Sequence, residues 1–145
     1  MPTCFSTTRR VEFAETDMAG MVHFAVFFRY LEEAEHAYFR SLGLSIIQDE
    51  EDGWVLSWPR VAASCSFDAP AFFEDVLALR LVGLEIGRRS LSFAWEIGRG
   101  ETRLCSGELK TVCCRFRPGE RPKSIDIPDD VRAKLAASLA EETPT

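Results

Sequence analysis

A chain of 145 residues with 46% hydrophobic and 28% charged residues has the size of one domain and enough apolar material for a sizeable core. Its net charge of −6 argues against nucleic acid or an anionic membrane as partner, since both call for a positive field. It leaves room for a local basic pocket facing a phosphorylated ligand.

In chain order, residues 4–13 contain a strand, with Arg9, Val11 and Phe13 alternating against Arg10 and Glu12. Residues 14–20, which include Glu15, Thr16, Asp17 and Gly20, read as a loop. From 26 to 42 the period becomes helical: Phe27, Leu31, Ala34, Tyr38 and Leu42 form one apolar stripe. Glu32, Glu33, Glu35 and Arg40 lie largely off it. Gly43 stands where a helix C-terminal glycine is expected. Such a helix is roughly 25 Å long, enough to cross most of a sheet.

Residues 45–53 are polar and acidic and read as a connection. Beyond Trp54 the β signals dominate, with Val61, Ala63, Cys65 and Phe67 alternating against Ala62, Ser64 and Ser66. Pro59 lacks an N–H and belongs at an edge or bulge. Residues 68–70 break the pattern, and strands follow over 76–86, closed by Gly87, and over 90–97. In the latter, Leu91, Phe93, Trp95 and Ile97 share a face. Residues 98–101 are a hairpin turn by composition, and a last long strand runs over 103–116, ended by Pro118 and Gly119. Pro128, Asp129 and Asp130 open a helix whose apolar edge is Val131, Leu135 and Leu139. The tail, 141–145, is expected to fray.

No repeat, low-complexity tract or linker divides the chain, so residues 1–145 are expected to form a single domain. One long helix with consecutive antiparallel strands is α+β. A sheet wrapped around the striped helix covers both. The five cysteines (Cys4, Cys65, Cys105, Cys113 and Cys114) are odd in number and have no Cys-x-x-Cys spacing. That is poor material for a disulfide framework or a zinc site and fits a reducing cytoplasm. No charged segment followed by a long apolar run opens the chain, and no apolar stretch reaches membrane-spanning length. Neither a leader nor a membrane span is expected.

Asp17 is the first candidate for chemistry, because a loop carboxylate beside a helix N-terminus suits hydrolysis. Taken locally, a cap or an Asx turn is the commoner role for such a residue. Glu12 and Glu15 flank it, and carboxylates so placed are usually solvated. His23 has the chemistry of a base, although a packed or hydrogen-bonded histidine is the plainer reading; His36, among helix glutamates, reads as surface. Arg88 and Arg89 after Gly87 form an exposed turn pair whose guanidinium forks suit phosphate. Phe24, Phe27, Phe28, Tyr30 and Trp58 fit either an apolar ligand pocket or plain core. The cysteines sit in no activated setting and read as small hydrophobes. A Gly-rich phosphate loop and a Gly-x-Ser-x-Gly elbow are both missing, against a nucleotidase or a serine-type esterase.

Arg10-Val11-Glu12-Phe13, Asp17-Met18-Ala19-Gly20-Met21-Val22, Phe27 with Tyr30-Leu31, and Tyr38-Phe39 before Leu42-Gly43-Leu44 together resemble the hotdog-fold acyl-CoA thioesterases of the 4-hydroxybenzoyl-CoA thioesterase family. Asp75-Val76-Leu77, Gly87 to Ser90, and Phe93 extend the likeness over roughly residues 9–117. The resemblance implies a five- to six-stranded antiparallel sheet wrapped around a long central helix. It also implies a dimer or dimer of dimers with active sites between protomers, and hydrolysis of an acyl-CoA without metal or redox cofactor. Asp17 would then be nucleophile or general base, with Gly20 in its loop. Amides near His23 and Phe24 would hold the oxyanion, and Arg88, Arg89 and Ser90 would bind CoA. Two positions depart from the family pattern. His23 precedes its aromatic neighbour Phe24 where many relatives reverse the order, and Val26 replaces a polar residue. Asp17 therefore carries most of the expected chemistry. The alternatives are a thioesterase acting on acyl carrier protein and a non-catalytic acyl-CoA-binding module.

Overall fold

Helix α1 (Phe24–Ser41) is the spine on which the computed structural model is built; residues 5–140 are described, less the side chain of Ala140. Cys4 and the tail 141–145 lie outside the described residues. The helix buries Phe27, Tyr30, Leu31, Ala34, Tyr38 and Phe39, the stripe that the periodicity predicts. It ends in a Schellman motif: Gly43 (φ +73°) donates its N–H to the Arg40 carbonyl at 3.0 Å, and Leu44 donates to that of Phe39 at 2.9 Å. A left-handed residue is needed there, and glycine adopts it without steric cost.

Around the helix curves a five-stranded antiparallel sheet formed by β1 (Phe5–Arg10), β4 (Arg60–Phe67), β5 (Val76–Ile86), β6 (Ser90–Arg99) and β7 (Thr102–Val112), in the order β1-β5-β6-β7-β4. Its inner face supplies Leu77, Leu79, Leu81, Leu91, Phe93, Trp95, Ile97 and Leu109 to the core against α1. Each large side chain so buried contributes about 1.5–3 kcal/mol. Gly107 leaves the space that Leu31 occupies: a methyl group there would run into the Leu31 side chain and press on Cys65. The fold is the α+β arrangement expected, a sheet wrapped around a long helix.

The chain departs most from its predicted elements at the second, smaller sheet. β2 (Ile47–Asp49), β3 (Val55–Ser57), β8 (Cys114–Phe116) and β9 (Lys123–Ser124) form it in the order β2-β3-β8-β9. The acidic connection thus contains a strand, folded back through a tight turn in which Asp52 and Gly53 have positive φ. The single strand predicted over 103–116 is two. At Cys113 the N–H bonds Arg89 O (2.7 Å) and the carbonyl accepts from Ile125 (2.9 Å), so the chain leaves β6 and pairs with β3. Pro59 sits at the matching crossover between β3 and β4. Helix α2 (Asp129–Ala140) closes the core with Val131 and Leu135, and its Ser138 hydroxyl meets Tyr38 Oη at 2.6 Å.

Candidate active site

The segment between β1 and α1 is held at both ends. Val11 exchanges backbone hydrogen bonds with the segment before β5: its N–H donates to Asp75 O (2.9 Å) and its carbonyl accepts from Glu74 (3.0 Å). After a single 3-10 turn (Phe13–Glu15), the chain doubles back, and Thr16 pairs with Val22 across the loop. Asp17 lies at the base of this loop. Its N–H donates to Met21 O at 2.8 Å and its carbonyl accepts from Gly20 at 3.0 Å, with Gly20 at φ +81° making the turn. Its Oδ1 accepts from Ala19 N–H at 2.8 Å and, more weakly, from Met21 N–H at 3.4 Å. The Asx turn that aspartate favours in loops is therefore present. It occupies one carboxylate oxygen and leaves Oδ2 without a hydrogen bond among the described residues. The side chain is exposed.

His23 caps the helix. Its Nδ1 accepts the Ala25 N–H at 3.1 Å, which places the ring proton on Nε2, and its ring stacks on Phe24 with centroids 4.7 Å apart. The helix therefore starts two residues before the apolar period does, because a capping side chain leaves no mark on hydrophobic spacing. The His23 N–H is already committed to Glu15 O at 3.0 Å. The Phe24 N–H has no acceptor among the described residues. It is the free donor of this helix end, where unpaired amides and the helix dipole favour negative charge.

Beneath the loop lies a network that sequence reasoning missed. Glu15 is 7% exposed, not solvated as expected. Its Oε1 accepts from Tyr30 Oη (2.8 Å), from the Glu12 N–H (2.8 Å) and from Arg9 Nη1 (3.1 Å), while Oε2 accepts from Arg9 Nη2 at 2.6 Å. Burial pushes the Glu15 carboxyl up, but the Glu12 amide, Tyr30 and Arg9 outweigh it and hold it below its ordinary range. Burial and the adjacent Glu15 carboxylate push the Tyr30 phenol well above its own. The spacing of Glu12 and Glu15 as a capping pair was the one available signal. Glu35 is a second miss. It is 1% exposed and takes both Arg60 Nη atoms, at 2.6 and 3.2 Å. It lies between Leu31 and Phe39, one turn either side, so the buried face is wider than the stripe.

Arg88 and Arg89 lie elsewhere. Both donate through Nε to exposed Asp126, at 3.1 and 2.8 Å, and hold its carboxyl below the ordinary range. Ser90 follows at the start of β6, its carbonyl accepting from Gly87 at 2.8 Å. β1 runs antiparallel to β5 with Arg10 opposite Val76, so the Asp17 loop leaves from the Val76 end. The arginines follow Ile86 at the other end, roughly 30 Å away along the strand. One chain does not bring them together.

Of the candidate acyl-pocket aromatics, Phe27, Tyr30 and Trp58 are core, Phe28 is half-buried, and only Phe24 is exposed. Around the Asp17 loop, Phe13, Met18, Phe24, Phe72 and Phe73 are all exposed, and Phe13 meets Phe73 edge to face at 5.7 Å. A hollow of about 550 Å³ lies on the outer face of the sheet beside Ser64, Ser92, Ala94 and Lys110, on the side away from α1. The Asp17 loop is an open surface in a single chain. Cys105, Cys113 and Cys114 are buried and Cys65 half-buried, all four as free thiols; burial pushes the Cys113 thiol up to about 12. Among the described residues, no three His, Cys, Asp or Glu side chains converge as metal ligands, and no helix is long and apolar enough to cross a membrane.

A family model for the thioesterase-like superfamily matches residues 11–135. The 4-hydroxybenzoyl-CoA thioesterase of Pseudomonas sp. (strain CBS-3) is 27% identical over 90% of this chain and 96% of its own. The 1,4-dihydroxy-2-naphthoyl-CoA hydrolase of Nostoc punctiforme is 30% identical over 88% of this chain and 83% of its own. An Asp-to-Asn variant of 4-hydroxybenzoyl-CoA thioesterase, solved as a complex with 4-hydroxybenzoyl-CoA, superposes with a TM-score of 0.76 at 25% identity, covering 90% of this chain and 96% of that one.

Proposed function

The chain belongs to the thioesterase-like superfamily, and from its site we propose that it hydrolyses an acyl-CoA thioester to the free acid and CoA, with Asp17 as the reacting carboxylate. One observation carries this reading. A carboxylate with one oxygen pinned by backbone amides and the other open stands on the loop that leads into a helix end with an unclaimed N–H. Acting as a base, Asp17 Oδ2 takes a proton from water as the water oxygen bonds the thioester carbon. Collapse of the tetrahedral oxyanion breaks the C–S bond, and the sulfur leaves with a proton as CoA. Acting as a nucleophile, the same oxygen bonds the thioester carbon and displaces CoA as its thiolate, and water then cleaves the resulting mixed anhydride to the free acid and the Asp17 carboxylate. Both routes pass through an oxyanion that the unclaimed Phe24 N–H is proposed to hold, and such a donor stabilises it by about 3 kcal/mol. Neither route, so drawn, calls on a metal or redox cofactor.

The acyl group is proposed to be aromatic. The relatives named for aryl-CoA substrates and the ring-rich surface of Phe13, Phe24, Phe72 and Phe73 support this. Arg88 and Arg89, with Ser90, are proposed to grip the CoA phosphates, Asp126 giving way to them. Their distance from Asp17 in one chain supports a site shared between protomers of a homo-oligomer, a dimer or dimer of dimers. The four free thiols suit a reducing cytoplasm. Thiol release measured across aryl and aliphatic CoA esters, and across the same acyl groups on carrier protein, tests the reading. Aryl-CoA esters are expected to give the highest kcat/KM. A preference for carrier-protein esters would select the carrier-protein alternative, and calorimetric binding without thiol release would select the binding module.

A further inference from the structure

We infer that Glu15 is a positioning residue for the reaction: its buried carboxylate sets where the Asp17 loop stands relative to the α1 N-terminus. The inference rests on the hydrolytic reading above and names what holds that site in shape.

Glu15 joins the elements that hold the Asp17 loop against the α1 N-terminus. Its side chain reaches back to β1 through Arg9, across its own turn to the Glu12 amide, and into α1 through Tyr30. Its backbone carbonyl holds the His23 N–H, so the residue that caps the helix is tied to the residue two before Asp17. The Thr16–Val22 pair lies immediately next to that bond. Moving Glu15 therefore moves both jaws of the site, the Asp17 carboxylate and the Phe24 amide.

Charge makes the anchor stiff. Arg9 is shared between Glu15 and Glu33, with its Nε on Glu33 Oε1 at 2.8 Å, and its guanidinium lies 5.0 Å from the centre of the Tyr30 ring. A buried carboxylate with four donors cannot rotate without leaving some of them unpaired, and an unpaired buried polar group is expensive. An anchor needed only to close the loop could be apolar. A carboxylate that takes donors from three directions fixes the backbone in direction as well as place.

The experiment compares wild type, Asp17→Asn, Glu15→Gln, Tyr30→Phe and the Glu15→Gln/Asp17→Asn double variant. It measures steady-state thiol release from an aryl-CoA ester at matched folded protein, together with amide hydrogen exchange over residues 15–26. Glu15→Gln is expected to lower kcat about 10- to 100-fold, the scale of a misplaced reacting group, with KM changed less than about 3-fold because the proposed CoA arginines lie at the far end of β5. Tyr30→Phe, which keeps the ring in the core, is expected to lower kcat by a smaller factor. In the double variant, Glu15→Gln costs less than it does in wild type, since part of its effect acts through Asp17. Exchange at the His23 amide, whose acceptor is the Glu15 carbonyl, is expected to quicken. A kcat within 2-fold of wild type for Glu15→Gln, or fully multiplicative losses in the double variant, overturns the inference. Equal thiol release by wild type and Asp17→Asn overturns the hydrolytic role of Asp17 instead. In that case the exchange rates decide alone whether Glu15 holds the loop, with unchanged rates counting against it.

Discussion

Asp17 and Glu15 lie two residues apart in one loop, yet their surroundings give them opposite tasks. The first keeps an oxygen open to solvent; the second, itself buried, spends both oxygens on Arg9, the Glu12 amide and Tyr30. Because the Glu15 carboxyl titrates below its ordinary range, its ionised form stabilises the fold. That contribution is full above the unfolded carboxyl value of about 4.3 and is lost as pH falls through the lower folded value. Denaturation midpoints taken from pH 7 down to 3 should therefore fall less steeply below about pH 4.3 in Glu15→Gln than in wild type; parallel curves would contradict this. Cys113, buried with its thiol pushed up to about 12, should resist thiol reagents at pH 8 until the protein unfolds, and peptide mapping after brief labelling checks it. Asp17 was legible as a candidate because it stands in a spaced motif before a helical period. The Glu15 network was not, since a buried carboxylate differs from a solvated one only in which distant side chains meet it. Arg9 and Tyr30 lie 6 and 15 residues from it.

Helix α1 was legible in its interior and less so at its ends. Its stripe follows from the period, whereas the His23 cap leaves no mark on that period and the pair of buried Glu35 with half-buried Arg60 depends on a tertiary partner. Arg60→Ala should destabilise the fold by about 3 kcal/mol, because it leaves the Glu35 charge buried and uncompensated. Replacing both residues by apolar ones of similar size should recover much of that loss. Urea denaturation measures both, and an Arg60→Ala protein as stable as wild type would mean that Glu35 does not need its partner. The long strands were readable from alternation, and β5 runs over the predicted residues. The three-residue strands of the small sheet were not. Too short for a period, they exist because neighbours supply their hydrogen bonds, as Arg89 and Ile125 do at Cys113. At Gly107 the demand runs the other way: an added methyl meets fully buried Leu31, so Gly107→Ala should cost about 1–3 kcal/mol by overpacking.

At the scale of the whole molecule, the Asp17 loop and the Arg88–Arg89 turn stand at opposite ends of β5. Exposed aromatics surround the first, and the sheet edge at β4 is unpaired among the described residues. A shared site then follows if both serve one substrate. Light scattering should report a dimer or tetramer. Coexpressing an Asp17→Asn chain with an Arg88→Ala/Arg89→Ala chain should recover activity that neither homo-oligomer has, because mixed assemblies contain intact composite sites. Recovery no greater than the sum of the separate proteins would place the arginines outside the site. The most direct test is thiol release by Asp17→Asn, an isosteric change that keeps Oδ1 as an acceptor and removes the oxygen proposed to react. With an aryl-CoA ester turned over by the wild type, kcat should fall at least about 100-fold while the ester still binds. Undiminished turnover in that variant would contradict the account.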